Sequence, residues 1–134
     1  MKNLTTTDSN KAFEEACVLR GYDPIAILPE VSKLPEWLQK YTHSSIKRLI
    51  IAEAINEGKV RIPGKQWGYF PVWDLTDKTS GPGFSLSTYD CWCTRTDVGA
   101  RLEFLTEEDS DFFGMNFMDL HKDVLLIEPK ISEE

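Results

Sequence analysis

The chain lacks the features by which most enzymes and membrane-spanning proteins are identified from sequence. Its 134 residues contain two histidines and three cysteines, and no apolar run approaches the roughly 20 residues of a membrane-spanning helix. The Gly-Pro-Gly stretch at 81–83 is not followed by the lysine of a phosphate-binding loop. The first ten residues have no apolar segment, so a secretory signal is not expected. The sequence therefore predicts neither enzyme activity nor contact with a membrane.

Positive charge is scarce and unevenly placed. The formal net charge is −7, from 15 basic and 22 acidic side chains. Residues 33–65 hold seven basic and three acidic side chains, whereas residues 103–134 hold two basic and ten acidic ones. Because a nucleic-acid backbone is bound by a basic face, nucleic acid is an unfavoured partner. The acidic end is either a solvated helix face with a tail or a surface that docks on a basic partner.

The few cysteines and histidines give no metal, cofactor or catalytic signature. The chain has an odd number of cysteines, namely Cys17, Cys91 and Cys93, and this predicts free thiols in a reducing compartment. Cys91 and Cys93 would share one face of a strand, and only Cys17, His43 and His121 could complete a metal site with them. The paired C-x2-C spacing of structural zinc sites is missing. Neither histidine stands in a pattern that would activate a nucleophile, so we predict no metal, no cofactor and no catalytic residue.

The first half of the chain is predicted to be helical. A loose polar arm at 1–8 precedes a helix from about Asn10 to Arg20, whose apolar residues recur at helical spacing. A second helix is predicted from about Pro35 to Glu57, with a bend or a break near Thr42–Ser45, where four poor helix formers cluster. Gly58 would end this helix in a left-handed conformation. Glu53, the only carboxylate that looks out of place on this buried helix, is expected to pair with Lys47, Arg48 or Arg101.

The second half is predicted to contain three strands and a last helix. The first strand is the aromatic stretch Gln66 to Leu75, in which both faces are apolar and Pro71 predicts an edge or a bulge. The other strands are expected at about Phe84 to Thr96 and at Ala100 to Leu105, joined as an antiparallel meander. A helix from Thr106 to about Asp123 would follow, and residues 129–134 would form a tail. The predicted order is α-α-β-β-β-α, an α+β fold in a single domain of residues 1–134.

Five aromatic residues on the predicted strands are the candidate binding site. They are Trp67, Tyr69, Trp73, Tyr89 and Trp92. Aromatic residues on a small sheet are either core or a protein interface, which favours Trp and Tyr. The basic residues Lys59, Arg61 and Lys65 lie nearby in sequence, and Arg95 follows the second strand. A third interpretation is therefore a sheet on which the bases of a single strand stack.

Four stretches of the second half resemble a known family. They are IIAEAINEGK, WGYFPVWDL, YDCWC and VGARLEFLTEEDSDFFGMNFMDLHKD. They are similar to the patterns IIAEALNEG, YYPWF and VGSRLCFKSRELAEYAGKQFxDLYKD of small uncharacterised proteins encoded by phages and prophages of Bacteroidetes. The resemblance covers residues 49–127 and departs from the pattern at Glu103, where the family has cysteine. It implies a phage origin, and it implies no activity or site.

Together these observations predict a non-catalytic, phage-encoded accessory protein. It would act by protein–protein interaction in the host cytoplasm, with opposition to a host system as one role that fits a phage origin. Its partner would be a host or phage protein, or a second copy in a homo-oligomer. One alternative is a minor virion or assembly component, located in the virion. The other is a protein that binds single-stranded nucleic acid through the aromatic sheet.

Overall fold

The computed structural model describes residues 4–74, 85–96 and 98–125, and the predicted tail at 129–134 lies outside them. The described residues form four α-helices, a two-stranded antiparallel sheet and a 3-10 helix, so the predicted α+β class is confirmed. In chain order the elements are α1 (Ser9–Arg20), α2 (Glu36–Ile55), β1 (Gly68–Asp74), β2 (Ser85–Trp92), the 3-10 helix (Ala100–Leu102), α3 (Glu107–Met115) and α4 (Met118–Leu125). None of the helices within these ranges is long and apolar enough to cross a membrane.

Local hydrogen bonds account for both ends of α1. The side chain of Asp8 accepts a hydrogen bond from the backbone N–H of Lys11 at 3.0 Å, which satisfies a donor that the first turn leaves unpaired. Gly21 ends the helix at φ 79, a left-handed conformation that glycine adopts without steric cost. In the segment that the sequence predicts as a loose arm, Leu4 is 4% exposed and Thr5 N–H donates to Glu15 at 2.8 Å.

α2 runs without interruption, so the predicted break at Thr42–Ser45 is wrong. The hydroxyl of Ser44 donates to Asp123 on α4 at 2.7 Å, and the ring of His43 bonds the carbonyl of Pro29 at 2.9 Å. These tertiary contacts hold residues of low helix propensity in the helix, since propensity is a weak preference that packing overrides. After the helix, Glu57 and Gly58 both have positive φ, at 57° and 77°.

The sheet has two strands where the sequence predicts three. β1 pairs with β2 in antiparallel register, and the irregularity between Val72 and Trp73 lies next to the proline, as predicted. The third strand, predicted at Ala100 to Leu105, is not confirmed among the described residues. Ala100–Leu102 is a 3-10 helix, and the pairing found beyond it is an isolated bridge of Tyr69 with Phe104. The next hydrogen-bonded pair of such a ladder would join Leu102 to Pro71. Pro71 has no N–H to donate, and the N–H of Leu102 donates to the carbonyl of Gly99 at 3.1 Å, so the bridge is not extended in this direction.

The last helix is two helices, so the prediction of one continuous helix from Thr106 to Asp123 is wrong. Its start is as predicted, because the Thr106 side chain accepts from Asp109 N–H at 3.1 Å. The chain then turns at Phe117, which has a φ of 61°. The Phe117 side chain is only 3% exposed, and this burial offsets the cost of the left-handed backbone. The break allows α3 and α4 to pack on the core at different angles.

The hydrophobic core lies among the helices rather than on the aromatic strand. Its buried members come from α1, α2, α3, α4 and the segments beside them. They are Leu4, Ala12, Phe13, Ala16, Cys17, Ile50, Ile51, Ala52, Ala54, Ile55, Phe104, Phe113, Phe117 and Leu120. Burial raises the pKa of the Cys17 thiol, as expected for a cysteine that packs as a small apolar residue. None of the five predicted site aromatics belongs to this cluster.

Glu53 is paired, although its partners differ from those predicted. The hydroxyl of Tyr22 donates to Glu53 Oε1 at 2.8 Å, and Arg20 Nε lies 3.8 Å from Oε2. The hydrogen bond to this carboxylate raises the pKa of Tyr22. Arg20 is the last residue of α1 and Tyr22 follows it directly. Glu53 therefore links α2 to the end of α1.

The substitution Glu53→Gln is expected to lower the free energy of unfolding by about 1 kcal/mol, because it removes the charge that accepts from Tyr22 and faces Arg20, on a side chain that is 19% exposed. Urea unfolding monitored by circular dichroism measures the change. Glu14→Gln, on the exposed side of α1, is the matched control and is expected to have no effect. An unchanged midpoint for Glu53→Gln would show that the pairing contributes nothing to stability.

Candidate interaction surface

Two of the five predicted site aromatics, Trp73 and Tyr89, are hydrogen-bonded to α3, and a third, Tyr69, packs against Tyr89. The indole N–H of Trp73 donates to the carbonyl of Gly114 at 3.3 Å. The rings of Tyr69 and Tyr89 meet edge to face, with their centroids 5.6 Å apart. The hydroxyl of Tyr89 donates to the carboxylate of Glu107 at 2.7 Å, and this bond raises the pKa of Tyr89 to about 12. These side chains are therefore half-buried structural contacts rather than a free stacking platform.

The other two, Trp67 and Trp92, lie at the end of the sheet where β1 begins and β2 ends. Trp67 immediately precedes β1 and is 51% exposed. Trp92 ends β2 opposite Gly68, and the guanidinium of Arg95 lies 3.7 Å from the centroid of its ring. This distance is short for a cation on an aromatic face. The structure thus divides the predicted site into a covered part and a part at the sheet end.

A buried ion pair, which sequence reasoning missed, holds this sheet end together. Arg61 Nε lies 2.6 Å from Glu103 Oε1, with side-chain exposures of 5% and 1%. The hydroxyl of Thr96 donates to the other carboxylate oxygen at 2.6 Å. A Cβ on Gly68 would lie 2.6 Å from Arg61 Nε, so the pair needs glycine at the start of β1. The sequence groups Arg61 with Lys59 and Lys65 as basic residues beside the aromatic strand, but in the structure the charge of Arg61 is neutralised inside the protein.

Arg61 also anchors residues 59–67 to the segment after β2. Its Nη1 donates to the carbonyl of Cys93 at 2.6 Å, and its Nη2 donates to the carbonyl of Arg95 at 2.5 Å. The backbone N–H of Gly64 donates to the same Cys93 carbonyl at 2.8 Å. Within the loop, the N–H of Ile62 donates to the side chain of Gln66 at 2.7 Å. Since hydrogen bonds fix it at several points, the loop presents its side chains in defined positions.

The anchored loop inverts the usual pattern of burial. Arg61 is 7% exposed, whereas its neighbours Val60 and Ile62 are 43% and 53% exposed. In an extended segment successive side chains point to opposite sides, so turning Arg61 inward turns both aliphatic side chains outward. We call the exposed side chains at this sheet end the Trp67 surface. It consists of Val60, Ile62, Lys65, Trp67 and Arg95.

A second buried polar contact lies where α2, α4 and β1 meet. His121 is fully buried, and its Nδ1 accepts a hydrogen bond from Arg48 Nε at 3.0 Å. Its Nε2 lies 2.8 Å from the carbonyl of Phe113, which fixes Nε2–H as the donor of a neutral ring. The ring of Trp73 lies 4.8 Å from the imidazole. Burial, and then the charge of Arg48, lower the pKa of His121 to about 4, so this histidine is a structural acceptor.

The cysteines do not assemble with other ligands in the described part of the chain. Cys91 and Cys93 are half-buried at the end of β2, while Cys17 is in the helical core. No group of three or more histidine, cysteine or acidic side chains that could hold a metal ion occurs within 4–74, 85–96 and 98–125.

No protein-family model, curated protein or solved structure matches this chain. The resemblance to phage-encoded proteins consequently stays a prediction from the sequence. The functional argument depends on the geometry of the Trp67 surface and on the charges around it.

Proposed function

We propose that this protein is a non-catalytic, phage-encoded accessory protein that acts in the host cell by binding another protein through the Trp67 surface. The single observation that supports the proposal is the inverted burial of residues 60–62. An arginine is buried between two exposed aliphatic residues, although burying Val60 and Ile62 instead would remove apolar area from water.

The inverted burial of residues 60–62 leaves the free protein less stable than it could be. Burial of apolar surface is worth about 25 cal/mol per Å², so exposing Ile62 and Trp67 leaves stabilisation unused in the free protein. A single exposed apolar residue is ordinary, but a rigid group of them rimmed by polar residues is typical of an interaction site. Tryptophan and arginine are also the residues on which binding energy concentrates. The Trp67 surface has both, at Trp67 and Arg95.

Binding of single-stranded nucleic acid is the weaker alternative. It would use the five aromatics as a stacking platform. Trp73 and Tyr89 are hydrogen-bonded to α3, Tyr69 packs against Tyr89, and the charge of Arg61 is paired with Glu103. The nucleic-acid interpretation therefore retains two of its five aromatics and loses one of its basic residues. A virion component could use the same apolar surface, and mass spectrometry of purified particles distinguishes that role from one in the host cytoplasm.

The proposal predicts that Trp67→Ala abolishes recovery of a protein partner from a lysate of the Bacteroidetes host. Truncating a central tryptophan of an interface typically costs about 2 kcal/mol or more, which is about a 30-fold loss of affinity. Affinity purification followed by quantitative mass spectrometry measures the loss. Trp37→Ala is the matched control, because Trp37 is 52% exposed and lies on α2.

Two results would contradict the proposal. One is that the wild-type protein retains no partner and does not self-associate. The other is that Trp37→Ala and Trp67→Ala reduce recovery of the partner equally. That result would mean that any exposed tryptophan, rather than the Trp67 surface, retains the partner.

A further inference from the structure

We infer that residues 126–134 of this chain bind the beginning of α2 and cover Trp37 and Tyr41. α4 packs along one face of α2, and this face continues beyond α4 toward the beginning of α2. Trp37 and Tyr41 do not belong to the Trp67 surface, so the element that covers them is independent of the proposed function.

The face of α2 that contacts α4 is buried in its second part and exposed in its first. Ser44 and Arg48 are each 5% exposed, and both are hydrogen-bonded to α4. Trp37 and Tyr41 precede Ser44 by seven and three positions, a spacing that places them on the same face of the helix. Their exposed fractions are 52% and 37%. We call these two residues the exposed stretch of α2, since they continue the face on which α4 packs.

The direction of α4 leads the chain toward this exposed stretch. His121 contacts Arg48, whereas Asp123, further along α4, contacts Ser44, which is closer to the beginning of α2. The two helices are therefore antiparallel. α4 ends at Leu125, and the nine residues LIEPKISEE follow it. The chain thus leaves α4 beside the place where the uncovered part of the α2 face begins.

The segment after α4 is long enough to cover the exposed stretch. Trp37 lies about 10 Å from Ser44 along α2, at the rise of 1.5 Å per residue of a helix. Residues 123–131 advance about 12 Å even at that rise, and more where Pro129 disfavours a helix. If the chain continues in the direction of α4, Ile127 comes opposite Tyr41, and residues 129–131 come opposite Trp37.

The charge beside the exposed stretch suits the same segment. Lys40 lies three positions after Trp37 on α2, is exposed, and belongs to none of the ion pairs found among the described residues. Residues 126–134 contain three glutamates and one lysine. Glu128, next to Ile127, comes within reach of Lys40 when the segment lies along α2. An opposite charge at the edge of an apolar contact fixes the register of that contact.

The small size of the exposed stretch favours a segment of the same chain over a second copy or a separate protein. A specific interface buries about 800 Å² on each partner, whereas two aromatic side chains offer at most about 250 Å² each. A tethered segment needs less area, because a short connection holds it at an effective concentration in roughly the millimolar range. A contact within the chain is therefore sufficient to cover Trp37 and Tyr41.

NMR of the full chain with labelled methyl groups tests the inference. We expect nuclear Overhauser effects between the ring of Tyr41 and the methyl groups of Ile127, and between the indole of Trp37 and residues 129–131. A soluble gadolinium chelate then compares two indole N–H signals. Trp37 and Trp67 are 52% and 51% exposed, so without a covering segment the chelate should relax both signals alike. With the segment bound, the signal of Trp37 should be relaxed less.

The variant Ile127→Asp should remove these Overhauser effects and raise the relaxation of the Trp37 signal to that of Trp67, because a carboxylate cannot replace an apolar side chain against an aromatic ring. Ile25→Asp is the matched control, since Ile25 is 86% exposed and follows α1, and it should change neither signal. Trp37→Ala would remove only this internal contact, so it still serves as the control for Trp67→Ala.

Four results would overturn the inference. They are the absence of the Overhauser effects in the wild type, equal relaxation of the two indole signals in the wild type, and unchanged relaxation of Trp37 in Ile127→Asp. The fourth is Overhauser effects that occur only between differently labelled chains in a mixed sample, which would identify a second copy as the occupant. The proposed function fails separately, because it depends on recovery of a partner through Trp67.

Discussion

Replacing Glu103 with alanine will lower the free energy of unfolding by about 4 kcal/mol. Removing one member of a buried ion pair leaves the other charge without compensation in a medium of low dielectric, which costs about 3–5 kcal/mol. Here the remaining charge is Arg61, whose side chain is only 5% exposed. The carboxylate also accepts from Thr96, and that bond is lost with it. Chemical denaturation at neutral pH measures the loss.

The exposed pair of Glu57 with Lys59 supplies the control. Its side chains are 55% and 67% exposed, so Glu57→Ala should change stability little. Gly68→Ala offers an independent approach to the same cluster, because the added Cβ would collide with Arg61 and Glu103 Oε1 at 2.6 and 2.7 Å. Both Glu103→Ala and Gly68→Ala should release the loop at 59–67 and increase amide hydrogen exchange there. Full stability of Glu103→Ala would contradict the assignment of this pair as the anchor of the Trp67 surface.

Acid will destabilise the protein through His121 by about 3 kcal/mol between pH 6.5 and pH 4. The pKa of this ring is about 4 in the folded protein, because it is fully buried and faces the charge of Arg48. The ordinary value is 6.5, so between these values the unfolded chain binds a proton that the folded chain does not. Stability therefore falls as the pH falls through this window, at about 1.4 kcal/mol per pKa unit.

The variant His121→Gln separates this effect from the titration of carboxylates. It should be less stable than the wild type at pH 7, because Arg48 loses its ring acceptor. Glutamine does not titrate, so the difference in free energy of unfolding between the two proteins should shrink by about 3 kcal/mol on going from pH 7 to pH 4. Asp119, the acidic group near the ring, remains in both proteins and cancels in the comparison. A difference that is constant with pH would show that the ring is not held neutral.

The elements that the sequence predicts correctly are those with local causes. The end of α1 at Gly21 and the start of α3 at Thr106 follow from hydrogen bonds within one turn of the chain. The predicted break at Thr42–Ser45 fails because the contact of Ser44 with Asp123 spans 79 positions. The predicted third strand is not confirmed among the described residues, and the reason is again distant in sequence: the residue that would pair with Leu102 is Pro71, which has no N–H to donate. Propensity and periodicity carry no information about such distant partners.

The candidate site, like the fold, has features that the sequence predicts and features that depend on contacts distant in sequence. The sequence indicates an aromatic and basic region near the first strand, and it cannot separate Trp67 from Trp73, because both are tryptophans of one short segment. The structure separates them: Trp73 donates to Gly114 and lies beside His121, whereas Trp67 is half exposed at the sheet end. Exposure depends on which element packs over a residue, and α3 follows more than 30 positions later in the chain.

The sequence by itself determined the α+β composition, the negative charge, the scarcity of catalytic and metal-binding residues, and the helix ends with local caps. Only the tertiary structure decided that Arg61 points inward. In the sequence Arg61 is one more cation in a basic loop, and Val60 and Ile62 beside it would be expected to provide the buried side chains. The partner that reverses this order is Glu103, 42 positions away. A buried arginine is tolerable only when such a partner meets it, and the chain must fold before the two are in contact.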